Sequence, residues 1–272
     1  MKTFTTVNLH QMVTPKGFSL AAEIHYVPSE AYSKGQSKRD WERSAYVSAR
    51  TGAMDWAGID PVPVRRTAGS PKGSIPALYH WQRTGEPEFV WCESQAEKNE
   101  LLWLDWHGDL AKLWSQPFVL IHAQGTEGAN HHVPDFLGMT HEGRIRLYDV
   151  RPAARLDPRT QRQFDLTAAA CAELGWTYTV LNGAGRSTRA LLNLQWLKAS
   201  RHARCAPPDD IEPLILLAAQ DGETRAALCV AASPHDPARA AIWIDHLTWH
   251  RHLLIDIDDP LNSNTILTTN KD

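Results

Sequence analysis

The alternation of apolar and polar residues predicts short strands and helices from Ala77 onward, after a weakly patterned N-terminal region. The segment ALYHWQRTGEPEFVW, residues 77–91, is typical of two strands around a turn. From about Glu93 to His107 the spacing is helical, and Gly108 is a suitable end for that helix. Three further strands are predicted in PFVLIHA, VPDFLGM and RIRLYDV.

A strong helix signal follows these strands. Asp157 and Pro158 suit the N-cap and the first helical position, and the predicted helix continues to Gly175, where the strand WTYTVL begins. The order helix, three strands, helix, strand predicts a mixed α/β domain around a central sheet. After Gly185, four helical segments followed by two short closing strands predict a mainly helical, winged-helix-like module.

These changes of pattern divide the chain into three predicted regions. Residues 1–74 form a polar, basic N-terminal arm, partly extended, with one short helix around Asp40–Ala49. Residues 75–185 form the α/β domain, and residues 186–272 form the helical C-terminal domain. We expect the chemistry to lie in the middle region, where the carboxylates are most frequent.

One acidic residue lies within the apolar stripe of the helix predicted at residues 93–107. With about 100° between successive residues, Glu97 lies between Leu101 and Leu104 on the face expected to pack on the sheet. A carboxylate there is costly to bury unless it is paired or binds a cation. Glu93 lies near the edge of the same stripe and competes for this role. A partly exposed glutamate in the first turn of a helix is an equally good interpretation of Glu97.

Two aspartates follow the two-residue period of strands. In RIRLYDVR, Leu147, Asp149 and Arg151 share one face. Asp135, directly after a Val-Pro pair, has a similar position on the neighbouring strand. A buried ion pair of Asp149 with Arg151 would explain this pattern without a functional site. Three carboxylates at one sheet edge would otherwise repel one another unless a divalent cation neutralised them, and oxygen ligands favour Mg²⁺ or Mn²⁺.

The composition is that of a globular protein, with 43% hydrophobic residues and a formal net charge of −3. In the basic arm, Arg65, Arg66 and Lys72 are candidates for contact with DNA phosphates, and solvated loop charges fit them equally well. The four cysteines are widely spaced without a CxxC pair, and no apolar run approaches the roughly 20 residues of a membrane span. We therefore expect a soluble, cytoplasmic protein that contacts no membrane.

Four segments, in this order, resemble the PD-(D/E)XK nuclease superfamily. They are ESQAEKNELLWLDW at residues 93–106, SQP at 115–117, HHVPDFL at 131–137 and DVRPAARLDPRTQRQFD at 149–165. Within the superfamily, the set is most similar to the TnsA-like endonuclease subunit of heteromeric cut-and-paste transposons. The resemblance covers residues 75–185, and the C-terminal helices and closing hairpin are similar in outline without a diagnostic motif.

This resemblance implies a restriction-endonuclease-like mixed sheet flanked by helices, and a set of site residues. Glu97, Asp135 and Asp149 match the catalytic carboxylates, and together with the Val150 carbonyl they would bind Mg²⁺ or Mn²⁺. Arg151 takes the catalytic position of the motif lysine. The accessory candidates are Glu93, Gln116 and His132.

The resemblance also implies partners. The family cuts the 5′ ends of the transposon, while a DDE-type transposase subunit cuts the 3′ ends and joins the strands. An ATP-dependent transposition regulator engages the C-terminal region of the endonuclease subunit. For this chain, the expected partners are therefore double-stranded transposon ends, a DDE-type subunit, and a regulator bound through residues 186–272, in a bacterial cytoplasm.

Arg151 is the departure from the family pattern. Arginine can bind a phosphate with two hydrogen bonds but cannot readily lose a proton, so water activation would fall to the metal. We expect cleavage to be retained because all three carboxylates are present. Two alternatives stay open: a catalytically impaired subunit that keeps the nuclease fold for DNA binding or assembly, and a stand-alone restriction or repair nuclease.

Overall fold

The computed structural model describes residues 23–25, 77–81, 88–121, 131–152, 154 and 156–270. The chain folds into two compact units. The first comprises Met1–Lys98 and Leu110–Gly183, and the second comprises Asn99–Asp109 and Ala184–Asp272. Within the described part of the chain, no helix combines the length and the apolar composition needed to cross a bilayer.

The first unit is built mainly from strands. Their bounds are β1 Glu23–His25, β2 Ala77–Trp81, β3 Glu88–Cys92, β4 Leu110–Ser115, β5 Val119–Ile121, β6 His131–His132, β7 Phe136–Thr140, β8 Ile145–Val150 and β9 Thr177–Leu181. Helix α1, Gln95–His107, begins in this unit, and helix α2 spans Pro158–Glu173. Four strands form a mixed sheet in the order β4-β7-β8-β9, in which β8 and β9 are parallel and the other pairs antiparallel. The predicted mixed α/β class is confirmed.

Helix α2 connects the two parallel strands and packs on the sheet. Asp157 caps its start by accepting a 2.8 Å hydrogen bond from the backbone three residues on, and Pro158 occupies the first turn. Gly175 follows its end at φ +70°, a conformation that suits glycine. Phe164 and Cys171 of this helix share one apolar core with residues of the sheet and of the segment after β4. The other buried members of that core are Phe118, Leu120, Leu137, Leu147 and Tyr178.

The second unit is mainly helical. Its helices are α3 Thr188–Leu197, α4 Glu212–Ala218, α5 Arg225–Ala232 and α6 Pro237–Trp249, with 3-10 turns at Lys198–Ser200 and Ala203–Cys205. Three short strands, β10 Glu223–Thr224, β11 Leu253–Leu254 and β12 Ile266–Thr269, form a sheet in the order β10-β12-β11. Helices α4, α5 and α6 share one apolar core with β11 and β12. The four predicted helical segments and both closing strands are present.

Strand β4 has no counterpart among the predicted strands, and this is the main error of the sequence analysis. The pairing of β4 with β7 shifts register between Leu110 and Lys112. The buried residues of β4, Leu110, Leu113 and Ser115, therefore depart from the alternation by which a strand is recognised in a sequence. The described strand within PFVLIHA, Val119–Ile121, pairs with β1 and β6 in a separate three-stranded sheet.

Candidate active site

Asp135 and Asp149 lie opposite each other on adjacent antiparallel strands. Phe136, the first residue of β7, pairs with Tyr148 of β8, and the same register continued by one residue brings Asp135 opposite Asp149. Directly opposed residues of antiparallel strands project from the same face of the sheet, with Cβ atoms about 5 Å apart. The fold thus brings together the two aspartates that the sequence analysis selected.

Asp135 is partly buried and hydrogen-bonded to the neighbouring strand. Its Oδ2 accepts a 2.7 Å hydrogen bond from the Val150 backbone N–H. Burial and then the negative charges of Asp149 and Glu97 raise the pKa of the Asp135 carboxyl well above its usual range, against the opposite effect of the Val150 N–H. The ionised form of Asp135 is therefore destabilised by its surroundings.

Asp149 is buried and held by two side chains from different elements. Its Oδ2 lies 2.7 Å from His132 Nε2 and 2.5 Å from the Tyr178 hydroxyl. The other ring nitrogen of His132 contacts the Gln163 amide nitrogen of α2. Nε2 of His132 therefore faces Asp149 and Nδ1 faces Gln163, so the ring bridges the strand aspartate and helix α2. His132, an accessory candidate in the sequence, is thus a direct partner of Asp149.

Tyr178 was missed by the sequence analysis. Burial and the charge of Asp149 raise the pKa of this tyrosine, so its hydroxyl is protonated at neutral pH and donates to the carboxylate. A tyrosine within an apolar strand is itself a signal, because a buried hydroxyl usually has a hydrogen-bond partner. The identity of the partner depends on the parallel pairing of β8 with β9, which the sequence does not specify.

Glu97 forms a capping box with Ser94 at the start of α1. The Glu97 N–H donates to Ser94 Oγ at 3.2 Å, and the Glu97 carboxylate accepts from the Ser94 hydroxyl at 2.7 Å and from the Glu93 N–H at 2.6 Å. The sequence SQAE carries the S-x-x-E signature of this motif. Glu97 therefore stabilises the helix start, and its charge also acts on Asp135 more strongly than that of Glu93 does.

The buried acidic residues of α1 are Glu100 and Asp105, whereas Glu97 is partly exposed. Both belong to the second unit, where Glu100 forms an ion pair with Arg186 and Asp105 lies 3.9 Å from Arg201. The sequence did not predict either residue to lie in the apolar stripe of this helix. Because each is compensated by an arginine of its own unit, neither is a candidate for the site.

Arg151 follows β8 directly, and its backbone N–H donates to the Leu181 carbonyl at 2.9 Å. Its guanidinium lies 3.7 Å from the Asp157 carboxylate at the start of α2, and its side chain is 38% exposed. The contacts described above for Asp149 come instead from a histidine and a tyrosine. The Arg151 side chain is therefore partly exposed and has Asp157 among its partners.

Gln116 extends the row of Asp135 and Asp149 onto a third strand. Ser115 of β4 pairs with Phe136, so Gln116 lies opposite Asp135, and its N–H donates to the Asp135 carbonyl at 2.8 Å. Its φ is +45°, a left-handed conformation that costs a non-glycine residue about 1–3 kcal/mol. The residue is 7% exposed.

The predictions for the N-terminal arm fall outside the described residues. These are the short helix around Asp40–Ala49 and the DNA-contact candidates Arg65, Arg66 and Lys72. Of residues 1–74, the structure describes Glu23–His25, which pairs with β5.

The chemistry of the donors fits a hard divalent cation. Mg²⁺ and Mn²⁺ prefer oxygen ligands. The oxygen donors here are the carboxylates of Asp135, Asp149 and Glu97, the Val150 carbonyl and the Gln116 amide. The raised pKa of Asp135 is the expected result of burial and, after it, of clustered carboxylates without a counter-charge. In the described ranges, no three acidic, histidine or cysteine side chains are grouped closely enough to hold an ion as they stand. A shared cation would require Glu97 to exchange its contacts at the helix start.

Comparison with known proteins adds no family to this geometry. No model of a known protein family matches the chain. A search of curated proteins finds no match either. The function of the chain is therefore inferred from its own residues.

Proposed function

We propose that this protein is a metal-dependent DNA endonuclease, the subunit of a heteromeric cut-and-paste transposase that cleaves the 5′ ends of the transposon. The observation that carries the proposal is the opposition of Asp135 and Asp149 across β7 and β8, with Glu97 within electrostatic reach. Two strand aspartates and a helix glutamate beside a mixed sheet are what the resemblance to PD-(D/E)XK nucleases implies. The β7-β8-α2-β9 order supports a restriction-endonuclease-like fold.

Each residue has a defined role in the proposed site. Asp135, Asp149, Glu97 and the Val150 carbonyl hold Mg²⁺ or Mn²⁺. When bound, the ion neutralises charge on the scissile phosphate and lowers the pKa of the attacking water. Arg151 contributes a permanent positive charge that binds a phosphate oxygen, and it does not act as a base.

Two further side chains orient the proposed ligands. His132 and Tyr178 both bind Oδ2 of Asp149 and so fix the plane of its carboxylate. Residues of this kind commonly set the affinity of a metal site without touching the metal. His132 is in turn fixed by Gln163, which places the whole chain of contacts on the rigid α2 and β9 elements.

The proposed substrate is double-stranded DNA at the transposon ends, with Arg65, Arg66 and Lys72 binding backbone phosphates. A DDE-type subunit would make the 3′ cuts, and an ATP-dependent regulator would bind the second unit. That unit has the order two helices, strand, two helices, two strands, with its sheet ordered β10-β12-β11, and the part from α4 onward supports the winged-helix-like prediction. Activity on transposon DNA would take place in a bacterial cytoplasm.

Cleavage of transposon-end DNA by the full chain and its transposase partner tests this proposal. With Mg²⁺ or Mn²⁺ we expect cleavage at the 5′ ends, and Asp135→Ala and Asp149→Ala should each abolish it while 3′ cleavage continues. Glu142→Gln is the matched control, because Glu142 is an exposed carboxylate in the turn between β7 and β8. Wild-type protein that leaves the 5′ ends intact while 3′ cleavage proceeds would contradict the proposal.

The second candidate function is a catalytically impaired subunit that keeps the nuclease fold for DNA binding or assembly. It is favoured by the arginine in the motif-lysine position and by the ion pair of Arg151 with Asp157. Arg151→Lys separates the two functions, because an active nuclease cleaves before and after the substitution, whereas an impaired subunit gains cleavage only with lysine. A stand-alone restriction or repair nuclease would cleave in the reaction that lacks the transposase partner.

A further inference from the structure

Helix α3 presents an apolar pair to solvent. Leu192 is 50% exposed, and Trp196, one turn further along the same face, is 64% exposed. The Trp196 ring is nevertheless fixed, because its Nε1–H donates to the buried carboxylate of Asp245 at 3.0 Å. Arg225 holds that carboxylate through two further hydrogen bonds of 3.0 Å. An exposed ring whose orientation is already set by the fold loses little conformational entropy when a partner covers it.

The apolar surface continues onto helix α6. Ile242 is 46% exposed, and it precedes Asp245 and His246 by one turn on the same face of α6. Asp245 is bonded to Trp196. Nδ1 of His246 lies 2.8 Å from the carbonyl oxygen of Ser200, just after α3. The geometry of the helix therefore places Ile242 beside the C-terminal end of α3.

A groove of about 420 Å³ adjoins Ile242. Its lining combines the apolar side chains of Ile242 and Trp243 with the arginines Arg204 and Arg239. The Arg239 guanidinium lies over the Trp243 ring, 5.7 Å from the ring centre. Among the described residues that line the groove, Asp209 is the one acidic side chain. The groove therefore offers an apolar wall next to two positive charges.

The distribution of charge indicates which partner fits this surface. Residues 186–204, which include α3, contain five basic and no acidic residues, whereas residues 205–272 contain four basic and eleven acidic residues. Two of the five basic residues are compensated by acidic residues of α1, whereas Arg189 and Arg204 are exposed. Arg189 lies one turn before the apolar pair of α3, and Arg239 is exposed on α6. The charges beside the apolar surface are thus mainly positive and complement an acidic partner.

The apolar part of the surface favours a protein over DNA. Surfaces that bind DNA are polar and strongly positive, whereas protein interfaces combine an apolar centre, rich in tryptophan and arginine, with a polar rim. We infer that Leu192, Trp196, Ile242, Arg204 and Arg239, the α3–α6 surface, bind an acidic segment of the ATP-dependent regulator, whose apolar side chains cover Trp196 and enter the groove. This inference rests on the proposed function for the identity of the partner.

Binding of the full chain to the purified regulator of the same transposon tests the inference. Leu192→Asp places a negative charge at the centre of the α3–α6 surface, and we expect the regulator to bind about ten-fold more weakly. Leu217→Asp is the matched control, because Leu217 is an exposed leucine on α4 of the same unit, and it should bind as the wild type does. Trp196 is left unchanged because its N–H also serves buried Asp245.

Two variants at Arg239 test the role of charge. Arg239→Glu should weaken binding of the regulator about ten-fold, whereas Arg239→Lys keeps the charge and should stay close to the wild type. Added salt should weaken binding by the wild type more than binding by Arg239→Glu. Because Leu192 and Arg239 are both exposed, the urea midpoints of these variants should match that of the wild type.

The outcomes separate this inference from the proposed nuclease activity. Unchanged affinity in Leu192→Asp and Arg239→Glu, or an equal loss in Leu217→Asp, overturns the inference. Loss of binding to transposon-end DNA with unchanged regulator affinity assigns the surface to DNA, and a wild-type dimer that Leu192→Asp dissociates assigns it to a second copy; either result overturns the inference. A wild-type chain that does not bind the regulator overturns it too, while 5′ cleavage with the DDE-type subunit judges the nuclease independently.

Discussion

Replacing Asp135 by asparagine should make the ion-free protein more stable at neutral pH while abolishing the proposed binding of Mn²⁺. The substitution keeps an oxygen that can accept the Val150 N–H, 2.7 Å from Oδ2 in the wild type. It removes the charge that burial, Asp149 and Glu97 oppose. A residue that lowers the stability of its own fold, and is stabilised by a ligand, is typical of a functional site.

The size of the effect follows from the opposition of Asp135 and Asp149. Two unit charges about 5.5 Å apart repel by about 3 kcal/mol at an effective dielectric constant of 20. Part of this repulsion is relieved in the wild type by proton uptake, because the pKa of Asp135 is raised. We therefore expect Asp135→Asn to increase the free energy of unfolding by about 1–3 kcal/mol.

The pH dependence gives the sharper test. The folded-state pKa of Asp135 lies above its ordinary value of 3.8, so the folded protein binds the proton more tightly than the unfolded chain. The stability linked to this proton is fully present below about pH 3.8 and is lost as the pH rises through the folded-state pKa. The advantage of Asp135→Asn should thus be largest near neutrality and shrink as the pH falls.

Urea unfolding followed by tryptophan fluorescence, without metal, measures this advantage at several pH values. Glu142→Gln is a control whose pH dependence should have the opposite sign. Hydrogen bonding to Arg144 lowers the pKa of Glu142, so the stability that the Glu142 carboxylate contributes is lost as the pH falls. Excess Mn²⁺ should stabilise the wild type and leave Asp135→Asn unchanged. A variant less stable than the wild type at neutral pH, or an advantage independent of pH, would refute the reasoning.

Three further substitutions test the packing around and beyond the site by urea unfolding. Tyr178→Phe removes a hydroxyl that donates to buried Asp149 and should lower the stability by about 1.5–3 kcal/mol; a neutral result would mean that His132 alone satisfies the carboxylate. Arg225→Ala leaves Asp245 buried without its two 3.0 Å guanidinium contacts and should lower the free energy of unfolding by about 3–5 kcal/mol. The loss should be smaller when Asp245 is also replaced by alanine, and equal losses in the single and double variants would argue against the ion pair. Gly138→Ala places a Cβ 2.8 Å from the Leu110 side chain of β4 and should lower the free energy of unfolding by about 1–3 kcal/mol. An unchanged stability would mean that β4 is displaced at no cost.

The elements that the sequence predicts well are those with local signals. Helix α2 begins where Asp157 and Pro158 indicate and ends before Gly175, because capping and positive-φ preferences depend on a few adjacent residues. The role of Glu97 illustrates a local signal that competes with a periodic one. Its position in the apolar stripe favoured burial, whereas the S-x-x-E spacing accounts for the hydrogen bonds that the structure shows.

By itself, the sequence determined that Asp135 and Asp149 meet. The two strands are adjacent in the chain and joined by residues 141–144, so short-range pairing sets their register. The tertiary structure alone decided what surrounds the aspartates. The contacts of Asp149 with Tyr178 and of His132 with Gln163 cross about 30 residues of chain, and they depend on the α2 crossover that makes β9 parallel to β8. Gln116 lies beside Asp135 and Asp149 because β4 pairs with β7, and the register shift in this pairing removes the two-residue period of β4. Local sequence preferences do not predict the pairing of strands so far apart in the chain.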